Sequence, residues 1–134
     1  MTSTRDTRTV MIVDGEPAQQ RFLSALMSRG GWRSVAAGDT DTALAKLGTQ
    51  EGMTLDAVLV DQGIPGMTIP EFVAELRRWR PALPLVVITM RNGVEVAVGA
   101  MRAGASDFVQ KPIAPARLLE ALDRAVSTSG PHSE

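Results

Sequence analysis

Four polar groups in this chain each stand at the end of a short apolar run. Asp14 follows "VMIV", Asp61 follows "LDAVLV", Thr89 closes "PLVVIT" and Lys111 follows "DFVQ". Two carboxylates meeting in a crevice repel, and a divalent cation is the usual remedy. Mg²⁺, a hard ion that keeps several of its waters, is the natural candidate. A hydroxyl and an ammonium beside them suit an oxyanion such as a phosphoryl group. An aspartate can also act as the nucleophile and become an aspartyl phosphate. Taken singly these residues have plainer readings. Asp14 serves as a helix N-cap before Pro17, Glu16 as an exposed first-turn acid, and Lys111 as a surface charge paired with Asp107. Chemistry requires a fold that gathers them.

The elements needed for that are visible in the pattern. Mainly apolar runs stand at 10–13, 55–60, 84–89 and 107–110, with a weaker one at 32–37, and apolar runs without alternation suit strands covered on both faces. Helical spacing fills the intervals. Pro17 opens a first helix with Phe22, Leu23, Leu26 and Met27 as its stripe, and Gly30-Gly31 ends it. Helices follow at 39–48, from Pro70 with Phe72, Val73, Leu76 and Trp79 inward, at 93–104 and at 114–126. Five strand–helix pairs in strict alternation imply a single doubly wound (βα)5 α/β domain with helices on both faces of a parallel sheet. Its expected strand order is the flavodoxin-like 2-1-3-4-5, with ligands beyond the carboxyl ends of the strands. The domain is expected over 10–127, flanked by polar tails at 1–9 and 128–134.

Composition narrows the classes. The 134 residues suit one compact domain, and 14 basic against 15 acidic side chains argue against a nucleic-acid or membrane coat. Without cysteine there are no disulfides, thiolate metal sites or thiol catalysis, and the single His132 cannot build a histidine site or a triad. No run is long enough to span a bilayer and "MTSTRDTRT" lacks a signal-peptide core, so a cytoplasmic location is expected.

The stretches "LDAVLVDQGIPGM", "VVIT" and "AMRAGASDFVQKP" together resemble bacterial response-regulator receiver domains of two-component signalling, of the chemotaxis-regulator-like kind. The resemblance runs from Val10 to about Val126. It implies that Asp61 is the phosphoacceptor, followed by the Pro65-Gly66 turn, and that Thr89 and Lys111 bind the phosphoryl oxygens. Phe108 would be the switch aromatic, and Lys111-Pro112 a cis bond, which only X–Pro adopts cheaply. Mg²⁺ would be held by Asp14, Asp61 and the Gly63 backbone carbonyl. A histidine kinase or phosphotransfer protein would supply phosphate. The surface of the fourth helix, fifth strand and fifth helix would meet an output domain or partner protein. Direct nucleic-acid binding by this domain and membrane contact are not expected, and homodimerisation is left open.

Two departures bear on competence. The family's adjacent acidic pair reads Asp14-Gly15 here, so a direct metal ligand is missing, and either Glu16 or water must take its place. Met90, after Thr89, stands where a small residue usually leaves a path for the phosphodonor. The expected function is therefore a phosphorylation-controlled receiver with weakened Mg²⁺ binding, an enzyme at most in assisting its own phosphorylation and dephosphorylation. The alternative is a pseudo-receiver, acting as a phosphorylation-independent interaction or dimerisation module. A flavin carrier is disfavoured, because no Ser/Thr-rich phosphate loop follows the first strand.

Overall fold

The computed structural model describes residues 7–128. Strands β1 (Arg8–Val13), β2 (Trp32–Ala37), β3 (Ala57–Asp61), β4 (Leu85–Thr89) and β5 (Asp107–Gln110) form one parallel sheet of order β2-β1-β3-β4-β5. The expected fold class and order are therefore observed. Between the strands run α1 (Pro17–Arg29), α2 (Thr40–Leu47), α3 (Gln50–Met53), α4 (Ile69–Trp79) and α5 (Val94–Ala103), and α6 (Pro115–Thr128) follows β5. The fourth and fifth helices expected from sequence are thus α5 and α6.

The central strands β3 and β4 are buried at every position, because helices cover both faces. Alternate strand residues feed two cores. Met11, Val13, Val58, Val60, Leu85 and Val87 pack against α2, α4 and α5. Val10, Ile12, Leu59, Val86 and Ile88 pack with Leu23, Leu26 and Met27 of α1 and with Leu118 and Leu122 of α6. The two-residue alternation thus sorts one apolar run into two opposite layers.

Several boundaries differ from the sequence expectations. The 1–9 tail is corrected: Arg8 and Thr9 belong to β1, pairing with Trp32 and Arg33. Arg8 also lies 4.4 Å over the Trp32 ring and 2.7 Å from Asp123, interactions no local pattern announces. At the other end, Thr128 belongs to α6 rather than to a tail. The remaining tail residues, 1–6 and 129–134 with His132, lie outside the described residues. The short α3, capped by Thr49, was not anticipated. Phe22 is 48% exposed and Trp79 68%, so neither joins its expected stripe. Phe22 flanks the buried face set by Leu23, Leu26 and Met27, while Trp79 ends α4 with its indole N–H donating back to Glu75.

Candidate functional site

Parallel register brings the four polar groups to one edge of the sheet. Asp61 and Thr89 are the last residues of β3 and β4. The Asp14 N–H donates to Ala37 O at 2.9 Å, so the chain leaves β1 while still tied to β2. The Gln62 N–H donates to Ile88 O, and that of Lys111 to Thr89 O, each at 2.8 Å. Asp14, Asp61 and Thr89 are buried polar residues, as is Thr40 at the start of α2.

The carboxylates are not equivalent. Asp61 Oδ1 is 2.9 Å from Lys111 Nζ, its only partner among the described residues, while Oδ2 accepts the Gly63 N–H at 2.8 Å. Asp14 Oδ1 accepts the Glu16 N–H at 2.9 Å, and its Oδ2 is buried with no hydrogen-bond partner among the described residues. Burial pushes the Asp14 carboxyl above its usual range. The Asp61 and Glu16 charges add to the rise, and the Glu16 N–H and Lys111 oppose it. The two aspartates open on a pocket of about 370 Å³ with Gly15, Glu16, Gln19, Gly63, Pro65, Met90 and Lys111. Lys111-Pro112 is a cis peptide.

Not every expected site residue lines this pocket. Thr89 lines a neighbouring, largely apolar cavity of about 380 Å³ with Gly93, Val94, Ala97, Val98, Met101 and Phe108. Phe108 is 37% exposed at that cavity's rim. Thr89 and Phe108 therefore share one cavity, next to the acidic pocket. Glu16 lines the acidic pocket but is exposed, and no cluster of three His, Cys, Asp or Glu side chains forms among the described residues.

The donor set still fits a hard cation that retains several waters. It supplies oxygen only, and one buried carboxylate oxygen lacks any partner.

Other residues shape the site without having stood out in the sequence. Gln62 Oε1 accepts the Met90 N–H at 2.7 Å, and Gln110 Nε2 donates to Arg91 O. Two glutamines at the ends of β3 and β5, the strands on either side of β4, thus clasp the β4–α5 loop. "DQ" and "QK" are visible in the sequence, but the clasp depends on register between strands. Gln20 Nε2 likewise donates to Asp14 O at 2.5 Å, fixing the β1–α1 turn from the first turns of α1.

Comparison with known proteins places this geometry in context. The family model described as the response regulator receiver domain matches residues 10–123. The probable transcriptional regulatory protein TcrX of Mycobacterium tuberculosis is 33% identical over 104 residues, covering 78% of this chain and 43% of that protein. The KDP operon transcriptional regulatory protein KdpE of Escherichia coli is 32% identical over 126 residues, covering 91% and 54%. This chain therefore spans about half the length of these two curated relatives. The solved receiver domain of NtrX from Brucella abortus superposes with a TM-score of 0.81 at 30% identity, covering 89% of this chain and 98% of that one.

Proposed function

This chain belongs to the response regulator receiver family, and from that premise we propose that it is a phosphorylation-controlled switch with Asp61 as the phosphoacceptor. Receivers of this family act in two-component systems, are phosphorylated on aspartate and are generally not enzymes. The observation that carries the assignment here is the buried Asp61 carboxylate, held 2.9 Å from Lys111 at the floor of an open acidic pocket.

An Asp61 oxygen attacks the phosphorus of a kinase phosphohistidine. The P–N bond breaks, the imidazole nitrogen keeps its electron pair and takes up a proton, and an acyl phosphate forms on Asp61. Lys111 neutralises part of the oxyanion charge through charge-assisted hydrogen bonds. Asp14, Asp61 and the Gly63 carbonyl would hold Mg²⁺, which when bound screens the carboxylates from the incoming phosphoryl group. With glycine at position 15 a carboxylate ligand is absent; losing even a group that only supports a ligand costs about 10–100-fold in metal affinity, and losing the ligand itself costs no less. Glu16, at the pocket wall, is the side chain able to replace part of that charge. Thr89 moves toward the phosphoryl oxygens, vacating space in the cavity it shares with Phe108. The aromatic ring then follows and reshapes the α5–β5–α6 face. That face meets an output domain or partner protein; the names of the relatives make a transcription regulator the leading candidate for the whole protein.

The pseudo-receiver reading keeps one specific observation in its favour. Met90, 43% exposed, lines the acidic pocket, where its side chain obstructs the donor's approach. Incubation with phosphoramidate and Mg²⁺, followed by intact-mass and peptide mass spectrometry, separates the two. One added phosphoryl group on Asp61, lost in Asp61→Asn, supports the switch. An unmodified chain under conditions that phosphorylate a control receiver supports the interaction module.

A further inference from the structure

The β4–α5 loop is tied down on both flanks by side-chain amides that the phosphoryl chemistry does not use. Gln62 follows Asp61 directly, and its Oε1 accepts the Met90 N–H at 2.7 Å. The backbone of Gln62 is itself fixed, because its N–H donates to Ile88 O at 2.8 Å and prolongs the β3–β4 ladder. From the other flank the exposed Gln110 donates through Nε2 to Arg91 O. Gly93 makes room for the Gln62 amide: a Cβ there would lie 2.6 Å from Gln62 Oε1 and 3.1 Å from Thr89 Cβ. Met90 lines the acidic pocket, whereas Thr89 and Gly93 line the apolar cavity. The tie therefore falls at the boundary between the two.

We propose that Gln62, seconded by Gln110, latches the β4–α5 loop in its resting position and so sets the threshold that phosphoryl charge at Asp61 must overcome before Thr89 turns. This deepens the switch reading above and rests on it. Thr89 is held on one side through its own carbonyl, which accepts the Lys111 N–H, and on the other through Met90. Swinging its hydroxyl out of the apolar cavity toward Asp61 draws on the Thr89–Met90 backbone, and the bond to Gln62 is the one that yields. A neutral amide acceptor suits that task. Its bond has a small net worth, whereas charge-assisted bonds to a phosphoryl oxyanion are roughly twice as strong. Both glutamines are positioning residues, acting through Met90 and Arg91 and not on the reacting atoms.

The test removes the latch and reads the switch. Gln62→Met keeps the length of the side chain and deletes its strong acceptor. With excess Mg²⁺, the beryllofluoride affinity of this variant, measured by calorimetry, should rise by roughly 2–12-fold, the net worth of one hydrogen bond. Gln110→Met, at an exposed site that tolerates change, should raise it by a smaller factor. Without beryllofluoride, amide exchange at Met90 should quicken several-fold in Gln62→Met while β3 keeps its protection. A tie that is merely structural would lower the melting temperature and leave the affinity unchanged or weaker, and that result overturns the proposal. So does Met90 exchange that stays the same in Gln62→Met. If even the unmodified chain ignores beryllofluoride with Mg²⁺, the receiver reading fails and the threshold falls with it. A chain that responds to beryllofluoride, but gains nothing from either substitution, overturns the latch alone.

Discussion

Replacing Asp14 with asparagine should stabilise this protein at neutral pH in the absence of divalent cations. Asp14 is 3% exposed, and its Oδ2 has no hydrogen-bond partner among the described residues. Its Oδ1 takes one N–H, from Glu16, which an amide oxygen accepts equally well. The amide leaves an N–H₂ in that unpaired place, so the gain comes from removing a buried charge, whose unpaired burial costs more than that of a neutral group by about 1–3 kcal/mol. For 134 residues that corresponds to roughly 4–11 °C in melting temperature. The pH dependence gives the sharper test. The folded-state pKa of Asp14 is raised from 3.8, chiefly by burial and then by Asp61, so the fold disfavours the ionised form. The stability from this group is fully present below its unfolded value and is lost as pH rises through the raised value. The advantage of Asp14→Asn should therefore be small in acid and grow to a plateau above that raised value. Melting curves across a pH series without divalent cation measure it directly. Added Mg²⁺ should raise the melting temperature of the unmodified chain and narrow the gap. The reasoning is refuted if Asp14→Asn melts lower at neutral pH, or if its gain is equal at both ends of the series.

Other perturbations give equally definite outcomes. Lys111→Met removes the ammonium beside Asp61 Oδ1 and one charge-assisted bond, so beryllofluoride affinity should fall by about 10–100-fold in a calorimetric titration. Met90→Ala opens the pocket wall and should raise the initial rate of phosphorylation by acetyl phosphate several-fold, followed by intact mass; an unchanged rate removes Met90 from the donor path. Arg77 donates to the carbonyls of Gly104, Leu83 and Arg80 at 2.8, 2.6 and 3.1 Å, and burial depresses its pKa. Arg77→Met should cost about 3 kcal/mol in denaturant unfolding, and Arg77→Lys should recover only part, since an ammonium cannot reproduce the guanidinium fork. Mg²⁺ titrations should be unaffected by either change, because Leu83 precedes β4 and the site lies at the strand's other end.

Much of this molecule is legible in the sequence because each apolar run carries its polar residue at the run's end. Burial on both faces demands runs without alternation, and a parallel sheet delivers every run's end to the same edge. Asp14, Asp61, Thr89 and Lys111 could therefore be placed together before any contact was known. What remained hidden depends on register and on the meeting of loops. Gln62 and Gln110 become a clasp only when β3, β4 and β5 stand side by side. Arg77 reads as a surface charge until α4, α5 and the approach to β4 present it with three carbonyls. Trp79 follows the spacing of its helix but lies at the helix end, where Glu75 is the partner it finds. Gly15 reads as a missing ligand from its neighbours in sequence, and only the fold shows that a Cβ there would come within 2.8 Å of Pro65 in a different loop. Thr89 was expected among the carboxylates, yet its cavity is the one it shares with Phe108.

The central claim is that charge arriving at Asp61 is transmitted through Thr89 and Phe108 to the α5–β5–α6 face. Amide spectra recorded with Mg²⁺, before and after addition of beryllofluoride, test this most directly. The account predicts shifts that begin at Asp61, Gly63 and Lys111 and extend through Thr89 to Val94, Val98, Met101 and Phe108. It also predicts that they are absent in Asp61→Asn. Spectra that stay unchanged at saturating beryllofluoride and Mg²⁺, or that change only at the acidic pocket, would contradict it.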